Sequence, residues 1–334
     1  MVVTEPSPAA AAGRARSLWR GRAFGLELDA PYALPGLSET SGRAGPRRAS
    51  LELVPPASIQ SAWPAREGRT TVERTFPDGR LMMRIEEHPE LGFRIWAPRY
   101  GRHLVSADGS RISSALPRLA PWRWQRLFFA QVLPLASALQ GLELFHASAV
   151  SLRGRVIAFA GGSGVGKTSL AAHLVARGAT LATDDVLALE PANGGVLAHP
   201  GAARASVDEH ELQAMAPEAR EALGKEVGRS DKIHLALPVL DRPQPLSLLY
   251  FPRRSSIPGP VRIVRLEPPG TRELLAASFL LYLQSPARLL THLDVCARIA
   301  GSVRTYRVLV PPEVPSIGVA AAVEAHAVDA LERG

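Results

Sequence analysis

One stretch of this chain leaves its backbone little freedom. An apolar run of strand-forming residues, RVIAFA at 155–160, passes without a break into GGSGVGKT at 161–168. A helical pattern, SLAAHLVAR at 169–177, follows. A G-x-x-x-x-G-K-[ST] element between a strand and a helix builds a phosphate cradle. Its glycines let backbone N–H groups converge on one point, and the helix N-terminus adds partial positive charge. The expected fold class is therefore α/β, with nucleotide bound by Gly161, Gly162, Ser163, Gly164, Val165, Gly166, Lys167, Thr168 and Ser169. In such a loop the lysine, here Lys167, reaches the β- and γ-phosphates, and the hydroxyl of Thr168 ligates Mg²⁺. ATP and Mg²⁺ are the expected cofactors.

Gly178 suits the end of the helix, and ATLATDD at 179–185 then reads as a short buried strand ending in Asp184 and Asp185. Two adjacent carboxylates at a strand end repel, and one of them is held protonated to higher pH unless a cation resolves the pair. Beside a phosphate cradle the pair suggests a division of labour: one carboxylate holds Mg²⁺ through water and the other takes a proton from an attacking hydroxyl. A solvated turn is the alternative.

The rest of the chain bounds the setting. At 334 residues with 46% hydrophobic content it has material for two domains, or for one large α/β domain with an extension. The alanine-rich residues 1–16 read as a disordered tail. Residues 17–116 read as a mostly antiparallel β module, with a hairpin turn at Pro77-Asp-Gly79, and residues 117–334 as the nucleotide-binding domain. Within that domain 121–139 reads as a helix buried between two layers, with further helices expected at 271–283, 286–300 and 314–331. The longest apolar stretch, 127–139, is interrupted by Gln131 and Pro134 and falls short of the roughly 18 residues of a membrane span. No basic start followed by an apolar core marks a signal peptide, so the expected location is cytoplasmic and membrane-free. One cysteine, Cys296, leaves no internal disulfide and no cysteine-built zinc cage. The net charge is 39 − 31 = +8, but the basic residues are scattered rather than patched, which argues against a nucleic-acid partner. Only Lys167, Lys225 and Lys232 among those basic residues are lysines. Lys232 is thus a second cation of interest, meeting the γ-phosphate or simply lying on the surface.

The stretch HASAV at 146–150, followed by GGSGVGKTSLAAHLVARGATLATDD at 161–185, resembles the core of the HPr kinase/phosphorylase family, bacterial protein-serine kinases with a P-loop. A histidine before the loop strand, the loop itself, an Arg-Gly at the helix end and a double Asp at this distance are shared. The resemblance implies a P-loop kinase core of the HPr kinase type. By it Lys167 binds phosphate, Thr168 and Asp184 hold the metal, Asp185 is the general base, and His146 lies beside it in the catalytic group. On its own chemistry His146 also suits a satisfied core position. A homo-oligomer is compatible with the same resemblance. The family's second signature, an arginine-glycine element with a metal-binding glutamate, has no clear counterpart at 197–206. The likeness is thus to divergent members, some of which accompany peptide natural-product clusters and phosphorylate a peptide serine.

The function expected is ATP-dependent transfer of the γ-phosphate to a serine or threonine hydroxyl of a peptide or protein, with the β module available to capture an extended peptide. Two alternatives stand beside it: a nucleotide-gated binding or assembly factor, and a small-molecule kinase.

Overall fold

The computed structural model describes residues 18–41, 45–64, 68–267 and 271–333; the expected tail at 1–16 lies outside them. Alternation of apolar and polar residues shapes the first third of the chain. Met83 and Ile85 in Leu81–His88, and Phe93, Ile95 and Ala97 in Gly92–Ala97, turn to one buried face. Nine strands form one sheet in the order Ser38–Glu39, Trp19–Ala23, Leu26–Ala30, Arg48–Leu53, Arg111–Ala115, Gly101–Val105, Gly92–Ala97, Leu81–His88, Arg69–Thr75. Pairing is mostly antiparallel, and the turn at Pro77-Asp-Gly79 joins the last two strands. Arg48–Leu53 departs from that pattern, running parallel to both of its neighbours.

A mixed sheet carries the glycine-rich loop. Arg155–Ala160 pairs in parallel with Gln244–Arg254, which pairs in parallel with Arg304–Val310. On its other side Arg155–Ala160 pairs antiparallel with Ala147–Leu152, which pairs antiparallel with Thr180–Thr183. This antiparallel strand decides the layout of the site. It brings its own N-terminal end, with His146 and Ser148, to the edge where Arg155–Ala160 and Thr180–Thr183 both finish. A separate three-stranded sheet, in the order Arg204–Val207, Ile233–Ala236, Lys225–Arg229, packs over the helix Lys167–Ala176.

The segment 121–139 is helical, as its apolar character leads one to expect, but not uniformly so. Pro121–Leu127 and Leu133–Leu139 are α-helical and Phe128–Val132 between them is a π turn. Pro134 has no N–H to offer the carbonyl of Ala130, so the helix widens just before it. Trp124, Phe128, Phe129, Val132 and Leu133 share one core with Leu26, Leu28, Ile85 and Ile95 of the first sheet and with Leu144 and Ala188 of the second. The helix therefore belongs to both layers. The turn at Phe24 (φ 53°) also crosses the seam, its N–H donating to Pro200 O at 2.6 Å, while Gly201 N–H donates to Ala182 O at 2.8 Å.

A single helix over 271–283 is not observed; the helix is Thr271–Ala277. Beyond it the backbone turns to the edge of Glu143–Phe145. Phe279 N–H donates to Leu144 O at 2.9 Å, and Ala277 O accepts from His146 N at 2.6 Å. Strand-edge pairing outcompetes the local helical pattern there. The later helices are Pro286–Ser302 and Ser316–Glu332.

A fragment beginning at residue 117 would leave the apolar side of the 121–139 helix without its cover. It is expected to be insoluble, or to melt far below the full chain, in a comparison by sedimentation and thermal melting. Recovery of a soluble, cooperatively melting fragment would show the first sheet to be dispensable for folding.

Candidate active site

The glycine-rich loop follows Arg155–Ala160 directly, and Gly166 occupies the position before the helix Lys167–Ala176 with φ 90°. A side chain there would meet no neighbouring atom, so the glycine is needed for its backbone angle rather than for space. The loop residues Gly162, Ser163 and Gly164 are exposed, and no side chain caps the helix start. The first N–H groups of a ten-residue helix are thus left for an anion. Lys167 folds back over the loop, donating from Nζ to Gly161 O and Gly162 O at 2.9 Å each. Burial draws its ammonium below the ordinary lysine value, against the attraction of Asp185 and Asp184. Ser169 turns the other way, buried, with its hydroxyl toward Glu211.

Asp184 is the hub. Its Oδ1 accepts from Ser148 Oγ at 2.7 Å and from Thr168 Oγ1 at 2.8 Å, and its Oδ2 accepts from Ser206 N–H at 3.2 Å. Burial, and after it the neighbouring charge of Asp185, push this carboxyl up to about 6 despite those donors. The Thr168 hydroxyl and the Asp184 carboxylate are adjacent oxygen donors beside a phosphate-cradle loop, and a carboxylate held up in this way is one that a cation would settle. The pair fits Mg²⁺ with water completing the shell.

Asp185 differs in every respect. It is exposed, and its carboxylate has no hydrogen-bond partner among the described residues. Its backbone lies at φ 66°, at the centre of a three-residue turn closed by Val186 N–H on Asp184 O at 2.9 Å. Turns of this kind are strained, and strain of that sort collects at functional sites. Two neighbours hold the turn. Thr183 Oγ1 donates to Val186 O at 2.5 Å, and His146 Nδ1 donates to Asp185 O at 3.0 Å. A carbonyl only accepts, so Nδ1 carries the proton. Burial, then the Lys167 charge, lowers the His146 pKa, leaving the ring neutral at pH 7 and stacked on Phe279 at 6.0 Å. His146 therefore touches the backbone of Asp185 and not its carboxylate.

A cavity of about 380 Å³ opens on this edge, with Thr168, Asp184 and Asp185 in its wall. Its opposite side comes from the first sheet, through Met82, Met83 and Tyr100, and from the π turn, through Phe129 and Ala130. Lys232 and His234 also line it, which brings the segment 229–234 to the aspartates. The Trp122 ring lies 4.9 Å from that of His234, tilted by 31°, and Ser206 Oγ lies 2.9 Å from His234 Nδ1. Lys232 stands 3.7 Å from Asp208. Ser148, Ser206, Gln125 and Arg204 escaped the sequence reading. Ser148 carried a signal, a polar residue two places after His146 and on the same face of a mostly apolar strand; the others carried none.

Among the described residues no group of three or more His, Cys, Asp or Glu side chains is placed to hold a metal, and no helix is long and apolar enough to cross a membrane.

No protein-family profile matches the sequence, and no curated protein matches it. Among solved structures the chain is similar to the Hpr(Ser) kinase/phosphatase from Coxiella burnetii, at 15% identity over 56% of this chain and 97% of that one, with a TM-score of 0.30. Likeness at that level carries no argument about the chemistry of the site.

The strained turn makes a stability prediction. Asp185→Val places a β-branched residue at positive φ and is expected to destabilise the fold by about 1–2 kcal/mol. Asp185→Asn keeps a residue tolerated there and removes a like charge, so its stability should stay within about 0.5 kcal/mol of wild type. Urea denaturation of the two variants checks the difference.

Proposed function

We propose that this chain is an ATP-dependent kinase that transfers the γ-phosphate to a hydroxyl group, with a serine or threonine of a peptide or protein as the acceptor. The observation that carries the reading is the contrast between two adjacent carboxylates beside a phosphate-cradle loop. Asp184 is enclosed and bonded to the Thr168 hydroxyl, whereas Asp185 is open to the cavity with free lone pairs. Enclosure suits a metal-holding group, and openness suits a base.

In this reading the loop 161–166 and the N-terminal amides of the following helix hold the phosphates. Lys167 exchanges its two loop carbonyls for phosphate oxygens. Thr168 and Asp184 hold Mg²⁺, which when bound offsets the charge of the phosphates. Asp185 accepts the acceptor's proton as the acceptor oxygen bonds to the γ-phosphorus, the bond from that phosphorus to the bridging oxygen breaks, and ADP leaves. His146 acts through the Asp185 backbone as a positioning residue. The chain divides near residue 116 in function, the first sheet supplying the wall that faces the acceptor. A cavity of about 380 Å³ holds only a few residues of a peptide, and that size also favours a second reading, a small-molecule acceptor.

Intact-mass analysis of candidate peptides after incubation with ATP and Mg²⁺ tests the assignment. Lys167→Ala and Asp185→Asn are each expected to lower transfer by about 10²–10⁴-fold, with nucleotide binding retained in Asp185→Asn. Undiminished transfer by Lys167→Ala at saturating ATP would sink the proposal.

The raised Asp184 carboxyl also sets a pH dependence. Mg²⁺ requires the deprotonated carboxylate, and the proton competes with it below about pH 6. Mg²⁺-dependent nucleotide affinity should be flat above about pH 7 and fall by up to roughly tenfold per pH unit below 6. Calorimetric titrations from pH 5 to 8 read this directly, and affinity rising toward acid pH would be incompatible with Asp184 as the metal-holding group.

A further inference from the structure

Two side chains in the cleft wall lack the partners that buried polar groups require. Gln125, on the helix Pro121–Leu127, is fully buried, and neither Oε1 nor Nε2 has a hydrogen-bond partner. Arg204, the first residue of the strand Arg204–Val207, likewise has a buried Nε with no acceptor. Its guanidinium lies over the Phe129 ring at 5.7 Å and forms no ion pair with any described residue. Burial alone draws its pKa down to about 10. Buried polar atoms are nearly always satisfied, and each exception calls for a reason. Here both residues line the same cavity as Asp184 and Asp185.

Their placement relative to the carboxylates follows from the strand. Arg204 and Ser206 are two residues apart and so share a face, with Cα atoms separated by on the order of 7 Å. The Ser206 N–H is bonded to Asp184. Arg204 and the N–H that holds Asp184 are thus on one short strand, and Arg204, Asp184 and Asp185 face one cavity. The aspartate pair repels an anion, so the guanidinium can anchor only a ligand that points a neutral group at the carboxylates.

We propose that Gln125 and Arg204 form an oxyanion subsite, taking a carboxylate or phosphate group carried by the acceptor and so placing the acceptor hydroxyl at Asp185. Arg204 supplies the charge and a forked donor set. Gln125 Nε2 donates to the same oxyanion, and Oε1 accepts an N–H or O–H adjacent to it. The role as an acceptor anchor rests on the kinase reading above; the binding of the anion does not.

Thermal melting of the full chain tests the subsite without any transfer reaction. The probes are sodium acetate and inorganic phosphate, each replacing chloride at constant ionic strength. The proteins are wild type, Arg204→Met, Gln125→Leu and Lys167→Ala. At about ten times its dissociation constant, a bound anion should raise the wild-type Tm by roughly 2 °C. A response to acetate identifies a carboxylate ligand; a phosphate response that falls in Arg204→Met, with none to acetate, identifies a phosphate, since the glycine loop takes phosphate independently. Lys167→Ala should keep the acetate response and the Arg204-dependent part of the phosphate response, because that anion is not on the glycine loop. Arg204→Met and Gln125→Leu should lose the acetate response and lower the phosphate response to the part taken by the glycine loop. In plain buffer both should melt at or above the wild-type temperature, since an apolar replacement removes buried groups that had no partners.

No response to either anion in wild type overturns the proposal. So does a response that Arg204→Met leaves undiminished, or an acetate response that vanishes in Lys167→Ala. Lower melting of both apolar variants in plain buffer overturns it too, because it would mark the two residues as structural. Anion binding without phosphate transfer to any acceptor would remove the kinase reading and leave the subsite standing. Transfer without anion binding would do the opposite.

Discussion

One carboxylate ties together three parts of the chain that are remote in sequence. Asp184 accepts hydrogen bonds from the strand Ala147–Leu152, from the first turn of the helix after the glycine loop, and from the small three-stranded sheet. None of these contacts is local, so the edge of the mixed sheet is organised around a charge that burial and a like-charged neighbour both oppose. Three donors keep the group in place, and burial with the Asp185 charge still leaves its carboxyl at about 6. In the proposed reading, a site built this way is one that a cation would settle. Its geometry is set by these three donors, with the Lys167 ammonium the cation that the aspartates attract.

Local pattern made part of this architecture legible. The glycine-loop strand and helix, the hairpin at Pro77-Asp-Gly79, and the helices beginning near 286 and 316 all follow from periodicity and turn chemistry over short windows. What local pattern could not reveal depends on contacts between distant segments. The helical periodicity of 271–283 yields after Ala277 because Phe279 finds a strand carbonyl instead. The π turn is explicable from Pro134 but was not foreseen, since a proline there permits a kink or a widened turn equally well. The site divides in the same way. Lys167, Thr168, Asp184 and Asp185 lie on one strand–helix–strand unit and are visible as a motif. Ser206, Gln125 and Arg204 reach the cavity from strands and helices whose sequences carry no motif, and only the topology brings them there.

The cavity sits on a seam between two apolar cores, one shared by the first sheet with the 121–139 helix and one under the glycine-loop sheet. Seams are where polar side chains can remain without partners, because neither core closes fully over them. The π turn contributes to this opening. A regular helix would pack its 128–132 face evenly against one layer, whereas the widened turn offers Phe129 and Ala130 to the cavity while Phe128 stays wholly enclosed.

The bonds at Pro200 and Gly201 run from the tip of the first hairpin to the aspartate strand. A β-carbon at 201 would fall 2.0 Å from Thr183 Oγ1 and 3.2 Å from the Phe24 ring. Thr183 in turn fastens the turn that presents Asp185. The two halves of the cleft are therefore spaced by the thickness of a bare backbone. One added methyl group, on a residue with no chemistry of its own, would press on both walls at once.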